Sequence, residues 1–202
     1  MRHRYVGIEA DLDAAEVARP RIEAHGGQLQ VGSVDALVGG ATYDVICAFE
    51  VLEHIEDDAH ALRVWRGWLR PAGRLILSVP AQPQRFGPWD EAVGHYRRYD
   101  RSELAEKLTA AGFDRVEVRA HGWPLGYLLE GVRDRLAARA SDAGGSMEAR
   151  TAGSGRRLQP RQRLVGPVTW LLTLPFRLLQ LVAHRSRLGT GLVAVAHRSD
   201  AE

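Results

Sequence analysis

Short apolar runs alternate with acidic and amphipathic stretches through the middle of the chain. Tyr43-Asp44-Val45-Ile46-Cys47-Ala48-Phe49 is β-branched and aromatic and has the length of a buried strand. Glu56, Asp57 and Asp58 follow and suit a helix start, where the first amides lack partners. Leu62, Trp65, Trp68 and Leu69 then recur at helical spacing as one apolar stripe. Pro71 and Gly73 end that helix, and Arg74 to Val79 reads as a second buried strand. Strand, helix, strand requires a right-handed crossover and predicts a parallel sheet.

The same pattern extends both ways. Upstream, Tyr5 to Ile8 is a short strand, and Asp11 or Asp13 caps a helix running to about His25, bent near Pro20 and stopped by Gly26-Gly27. Leu29 to Gly32 is a weaker strand. Downstream, Ala81 to Asp100 is a loop without periodicity, broken by Pro83, Gly87 and Pro88. Asp100 and Glu103 form a capping-box pair for a helix from Ser102 to Ala111, and Phe113 to Ala120 is a strand. Pro124 to Ala140 reads as a helix with Leu125, Leu128, Leu129, Val132 and Leu136 on one face. Ser141 to Gly155, rich in Ala, Gly and Ser, is a flexible connection. Leu164 to Val182 is apolar but carries Gly166, Pro167, Pro175 and Arg177, and Leu192 to Ala196 is the last strand.

Composition adds bounds. A chain of 202 residues, 45% hydrophobic and 26% charged, has room for one α/β domain and an appendage. A single cysteine, Cys47, excludes an intramolecular disulfide, fits a reducing compartment and reads as a small core residue. Met1-Arg2-His3-Arg4 has no apolar run of a secretory signal, which predicts a cytoplasmic protein. The net charge of +2 is unevenly spread: Thr151 to Arg198 holds several arginines and no acid. Nucleic acid is not expected as partner, because base-stacking aromatics are not interleaved with that charge.

YDVICAFEVLEHIEDDAHALRVWRGWLRPAGRLILSVP resembles the fourth and fifth strands of the class I S-adenosylmethionine-dependent methyltransferases, with Ala72 in place of the first Gly of the family's Pro-Gly-Gly turn. YVGIEAD is similar to the second strand of that family. The resemblance implies an α/β fold: a Rossmann-like methyltransferase sheet, N-terminally truncated, with a helical insertion before the last strand. Residues 1–122 would be a partial core, 123–188 an insertion or cap with a linker at 141–160, and 189–202 the last strand and tail. The family's first strand and its Gly-x-Gly-x-Gly turn have no counterpart before Tyr5, since Gly39-Gly40 and Gly189-Thr190-Gly191 precede strands. The expectation is a fragment that binds the cofactor poorly.

The resemblance also places residues. Glu9 would take the ribose hydroxyls of S-adenosylmethionine, Asp35 and Ala36 would lie at the adenine, and Phe49 and Glu50 would complete the cofactor pocket. A solvated loop acid is the alternative for Glu9, and a turn Asp bonding its own backbone is the alternative for Asp35. WDEAVGHYRRYDRSEL resembles a substrate-side segment, which points to Trp89, Asp90, Tyr96, Arg97 and Arg98 as acceptor contacts. Packing of these aromatics as a lid, with the arginines solvated, is the other reading. An oxygen nucleophile must lose a proton, and His95 and His54 are the candidate bases. Glu50, Glu53, His54 and His95 also have the donor types of a divalent metal site, and a related Glu-x-x-Glu-His pattern binds metal in some RNA 2′-O-methyltransferases. Many members with the same letters use no metal, so no metal ligand is assigned.

Two function classes follow. One is a methyltransferase acting on a small or lipid-linked hydroxyl compound, such as a quinone precursor or glycan intermediate; the other is a non-catalytic remnant or binding module of the same fold. For a lipid-linked acceptor, Leu164–Val182 with its flanking arginines would cap the acceptor site and rest on a membrane through residues 156–187.

Overall fold

The computed structural model describes residues 4–32, 42–139, 174–175, 179 and 188–199. They fall into two compact units, one holding residues 4–32 and the other 42–139 and 188–199. In the first, β1 (Val6–Glu9), α1 (Leu12–Ala24) and β2 (Gln28–Val31) form a parallel βαβ unit with Val6 opposite Gln28 and Glu9 opposite Val31. Asp11 is the N-cap of α1, its carboxylate accepting from the amides of Asp13 (2.8 Å) and Ala14 (3.3 Å).

The second unit carries β3 (Tyr43–Phe49), α2 (Asp58–Trp68), β4 (Leu69–Pro80), α3 (Pro88–Val93), α4 (Arg101–Ala110), β5 (Phe113–His121), α5 (Leu125–Arg139) and β6 (Gly191–Arg198). Its sheet has the order β3-β4-β6-β5, with β3 parallel to β4 and β6 antiparallel to both neighbours. The strand, helix, strand reading of 43–80 holds, and so does a last strand reached after a helical excursion. Leu62, Trp65 and Leu69 are buried, and with Leu75, Leu77 and Val79 of β4 they form the core between α2 and the sheet. Each such side chain contributes about 1.5–3 kcal/mol on burial. α4 packs Leu104 and Leu108 onto β5 and β6.

Several expectations need correction. Cys47 is exposed rather than in the core. β3 pairs with β4 alone among the described strands, and Val45 and Phe49 are likewise exposed. The second strand of the crossover starts at Leu69, not Arg74: Leu69 already pairs with Tyr43, and the register then shifts so that Val45 lies opposite Arg74. Ala72 sits at φ 59°, which explains the family's glycine at this position. The loop 81–100 contains α3, started by Pro88 and closed by Gly94 in the left-handed region (φ 78°, ψ 37°). Asp100 is the N-cap of α4 by position but makes no side-chain capping bond. α5 lies where a helix was expected, yet Leu128, Leu129, Val132 and Leu136 are exposed. Its polar side faces inward, because Glu130 is paired there with buried arginine. The segments expected at 141–160 and 164–182 lie outside the described residues.

Candidate active site

Two segments of the second unit meet at the carboxyl end of the β3–β4 pair. Beyond β3 the chain turns through Glu50, held at φ 54° with its amide donating to the carbonyl of Ser78 (3.0 Å). One 3₁₀ turn, Leu52–His54, follows. The second segment is the return from α3. There the amide of His95 donates to the carbonyl of Asp90 (2.9 Å), and that of Tyr96 donates to the carbonyl of Glu53 (2.8 Å). These backbone bonds place His95 beside Glu53 and His54 in spite of 41 positions between the two histidines (95 − 54). The imidazole rings of His54 and His95 meet edge to face, with centroids 4.7 Å apart and planes at 78°.

Asp90 organises one side. It is fully buried, and its Oδ1 accepts from Nδ1–H of His95 at 2.7 Å. Arg98, also buried, donates from Nε to both Asp90 oxygens (2.9 Å each) and from Nη2 to Oδ2 (2.6 Å), and the Gly87 amide donates to Oδ2 (2.9 Å). Nη1 of Arg98 donates to Glu130 of α5, which also accepts from Nε and Nη2 of Arg85 (2.8 and 2.6 Å). Burial opposes ionisation of Asp90, but the hydrogen bonds from His95 and Arg98 outweigh it and hold the carboxyl below its ordinary range. Arg98 likewise loses hydration on burial, and its bonds to Asp90 and Glu130 more than restore the charged form.

Glu53 stands on the other side. It has no exposed surface, and neither carboxylate oxygen meets a hydrogen-bond donor; Nε2 of His95 is 3.9 Å from its Oε1. Burial, and then the charge of nearby Glu50, push it up to about 9. Glu50 itself accepts the Ser78 hydroxyl at 2.7 Å. His54 is half-buried, and its Nδ1 lies 3.1 Å from the carbonyl of Gly94, which makes that nitrogen the donor. Desolvation and then the neighbouring His95 lower it to about 4, so it is neutral at pH 7.

Of the residues predicted from sequence, His54, Asp90, His95 and Arg98 come together here. Tyr96 and Arg97 are half-buried beside them; Arg97 pairs with Asp58 (3.2 Å), which also takes the Tyr99 hydroxyl (2.9 Å) and the Lys107 ammonium (3.0 Å). Burial and then the Asp58 charge hold the Tyr99 phenol above its usual range. Trp89 lies under the Arg133 guanidinium, 5.5 Å from its ring centroid. Phe49 ends β3 with its ring 58% exposed, an uncovered aromatic at the carboxyl end of a parallel strand. Glu9 ends β1 in the first unit, with Oε1 accepting from the Asp11 amide (3.0 Å). Asp35 and Ala36 lie outside the described residues. Glu130 and Arg85 were not legible as site residues, because the leucines of α5 pointed to the opposite face as the buried one. A cavity of about 970 Å³ lies elsewhere, between α4 and β5, lined by Gln82, Tyr99, Arg101, Ser102, Glu117 and Arg119 among others. None of the predicted site residues lines it.

The sheet and the carboxyl-end site define a Rossmann-like methyltransferase fold. The chain belongs to the methyltransferase domain family, whose model matches residues 2–118. A protein of Mycolicibacterium smegmatis named "Probable S-adenosylmethionine-dependent methyltransferase" is 32% identical over 120 residues, covering 55% of this chain and 44% of its own length. The chain thus spans less than half of the curated relatives it matches. Among solved structures, a chain of the Haloferax volcanii complex of the Trm112 methyltransferase activator with a methyltransferase is 16% identical, with a TM-score of 0.59 over 98% of this chain and 73% of its own. Phosphoethanolamine N-methyltransferase 2 of Haemonchus contortus, solved with S-adenosyl-L-methionine, is 14% identical with a TM-score of 0.53, over 98% of this chain and 49% of its own. At these identities the structural likeness concerns the fold.

Proposed function

We propose that the protein transfers a methyl group from S-adenosylmethionine to a hydroxyl acceptor, with His95 as the base. The observation that carries the reading is the buried Asp90–His95 pair. Nδ1–H is committed to Asp90 at 2.7 Å, so Nε2 is the nitrogen that takes a proton. Asp90 fixes the ring and stabilises the imidazolium that forms, while Arg98 holds Asp90 from behind. Asp90 and Arg98 are therefore positioning residues in this reading, and the half-exposed Trp89, Tyr96 and Arg97 are the ones suited to touch the acceptor. The exposed ring of Phe49, with Glu50 beside it, fits a role in holding the cofactor's nucleoside. When bound, the cofactor supplies a methyl group on a sulfonium sulfur.

The acceptor class favoured by this chemistry is a hydroxyl compound, a quinone precursor or a glycan intermediate, free or lipid-linked. The exposed leucines of α5 are described apolar surface that suits a lipid-linked acceptor at a membrane edge. Among the described residues no helix is long and apolar enough to cross a membrane. Transfer of tritiated methyl from S-adenosylmethionine to 3,4-dihydroxybenzoate, a soluble stand-in for a quinone precursor, and to a lipid extract tests the reading. His95→Gln should lower transfer by about 10²–10⁴-fold. Transfer to a hydroxyl that survives this change within a few-fold removes His95 as the base.

A further inference from the structure

α5 is fastened to residues 82–98 by polar side chains. The Gln82 side-chain amide donates to the Tyr127 hydroxyl, the Trp89 backbone amide donates to Oδ1 of Asp134 (3.4 Å), and the Arg133 guanidinium lies over the Trp89 ring. Glu130 reaches deeper. It is buried, and its two oxygens serve two arginines: Oε1 accepts from Nη1 of Arg98, and Oε2 accepts from Nε and Nη2 of Arg85. Arg98 spends Nε and Nη2 on Asp90, and Asp90 holds Nδ1–H of His95 at 2.7 Å. An unbroken line of hydrogen bonds therefore runs from α5 to the imidazole.

We propose that Glu130 is a positioning residue for His95, acting through Arg98 and Asp90, so that the base is complete when α5 is seated. The inference rests on the reading of His95 as the base. Asp90 with Arg98 alone is a neutral pair, which does little for an imidazolium. Glu130 turns the buried group into two carboxylates around one guanidinium, and the net negative charge favours a positive ring. Arg85 offsets less of that charge, because its side chain is 35% exposed and water screens it.

Orientation adds to charge. A guanidinium is a planar fork, and carboxylates on two of its sides fix its plane. Without Glu130 the fork is free to tilt about its bonds to Asp90, and the Asp90 oxygen that orients His95 tilts with it. Glu130 acts across two intervening residues and its oxygens are spent on arginines, so it is not a second base. The other titratable groups that face His95 are Glu53 and His54, from the turn after β3, and changes on α5 leave them in place.

The test is a pH titration of the full chain with nitrogen-15-labelled histidine, followed by NMR, with the His95 signals assigned by their loss in His95→Gln. Glu130→Gln keeps the shape and removes the charge, and should move the His95 titration to lower pH by at least about 0.5 unit. Glu130→Asp should lie between that variant and wild type. Asp134→Asn removes a second acid of α5, one that binds the Trp89 amide rather than Arg98, and should leave the titration where it is in wild type. In methyl transfer to 3,4-dihydroxybenzoate, Glu130→Gln should lower kcat about tenfold or more with KM within about threefold. A His95 titration that is the same in wild type, Glu130→Gln and Glu130→Asp, or one displaced as far by Asp134→Asn, overturns the assignment. Where Glu130→Gln does not fold, Glu130→Asp against Asp134→Asn decides in the same way. The NMR readout needs no turnover: a displaced titration in a protein that methylates nothing sustains Glu130 and removes only the proposed reaction.

Discussion

Asp90 and Glu53 are both fully buried carboxyl groups on opposite sides of His95, and the protein treats them in opposite ways. Asp90 receives donors from a histidine, an arginine and a backbone amide, and it is held ionised. Glu53 receives none and is held as the neutral acid. The same residue chemistry in the same depth of protein therefore has opposite charge, decided by where donors are anchored. On the Asp90 side they come from α3, the following loop and, through Glu130, from α5. On the Glu53 side the neighbours are the Glu50 carboxylate and the His95 ring, whose Nδ1–H goes to Asp90. One side is a finished structural network; on the other a neutral acid stands beside the Glu50 carboxylate.

Breaking the finished side should have the largest effect. Arg98→Met leaves Asp90 and Glu130 buried without their shared cation and should destabilise the fold by about 3–5 kcal/mol in chemical denaturation. A cost below about 1 kcal/mol, the range of an exposed pair, would show that this network is not truly desolvated.

Glu53→Gln should act in the opposite direction. It should stabilise the fold by about 1–3 kcal/mol near neutral pH, the scale of one unsatisfied buried polar group. The sign follows from linkage: the folded group ionises near 9 and the unfolded one near its ordinary value of 4.5. Between those pH values the unfolded chain binds fewer protons, so wild-type stability falls as pH rises. The advantage of glutamine should be negligible below about pH 4.5 and grow toward pH 9. Denaturation curves across that range check it. A smaller, charge-free control is Ala72→Gly, which should add about 0.5–1 kcal/mol by removing a Cβ at φ 59°.

How much of this was legible in the sequence depended on the kind of signal. The β3–α2–β4 unit could be read because its apolar spacing and its Pro71–Gly73 stop agree with one another. The capping of α1 could be read from residue type alone. His54, Asp90, His95 and Arg98 could be listed as site residues, yet their roles could not, since the Asp90–His95 and Arg98–Glu130 contacts rest on where separate segments dock. α5 shows the limit most clearly. Its leucine stripe predicts the buried side by periodicity, whereas the helix is anchored by Glu130, Tyr127 and Arg133 on the other side. Cys47 failed for a related reason: an apolar run in a strand that pairs on one described edge does not bury every residue in it.

The central claim is that Glu53 is an un-ionised acid at neutral pH, and infrared difference spectroscopy tests it most directly. Wild-type protein should show the carbonyl band of a protonated carboxylic acid at pH 7; the band should be absent from Glu53→Gln and retained in Asp90→Asn. A spectrum at pH 7 with carboxylate bands alone, unchanged by Glu53→Gln in the acid region, would contradict the account.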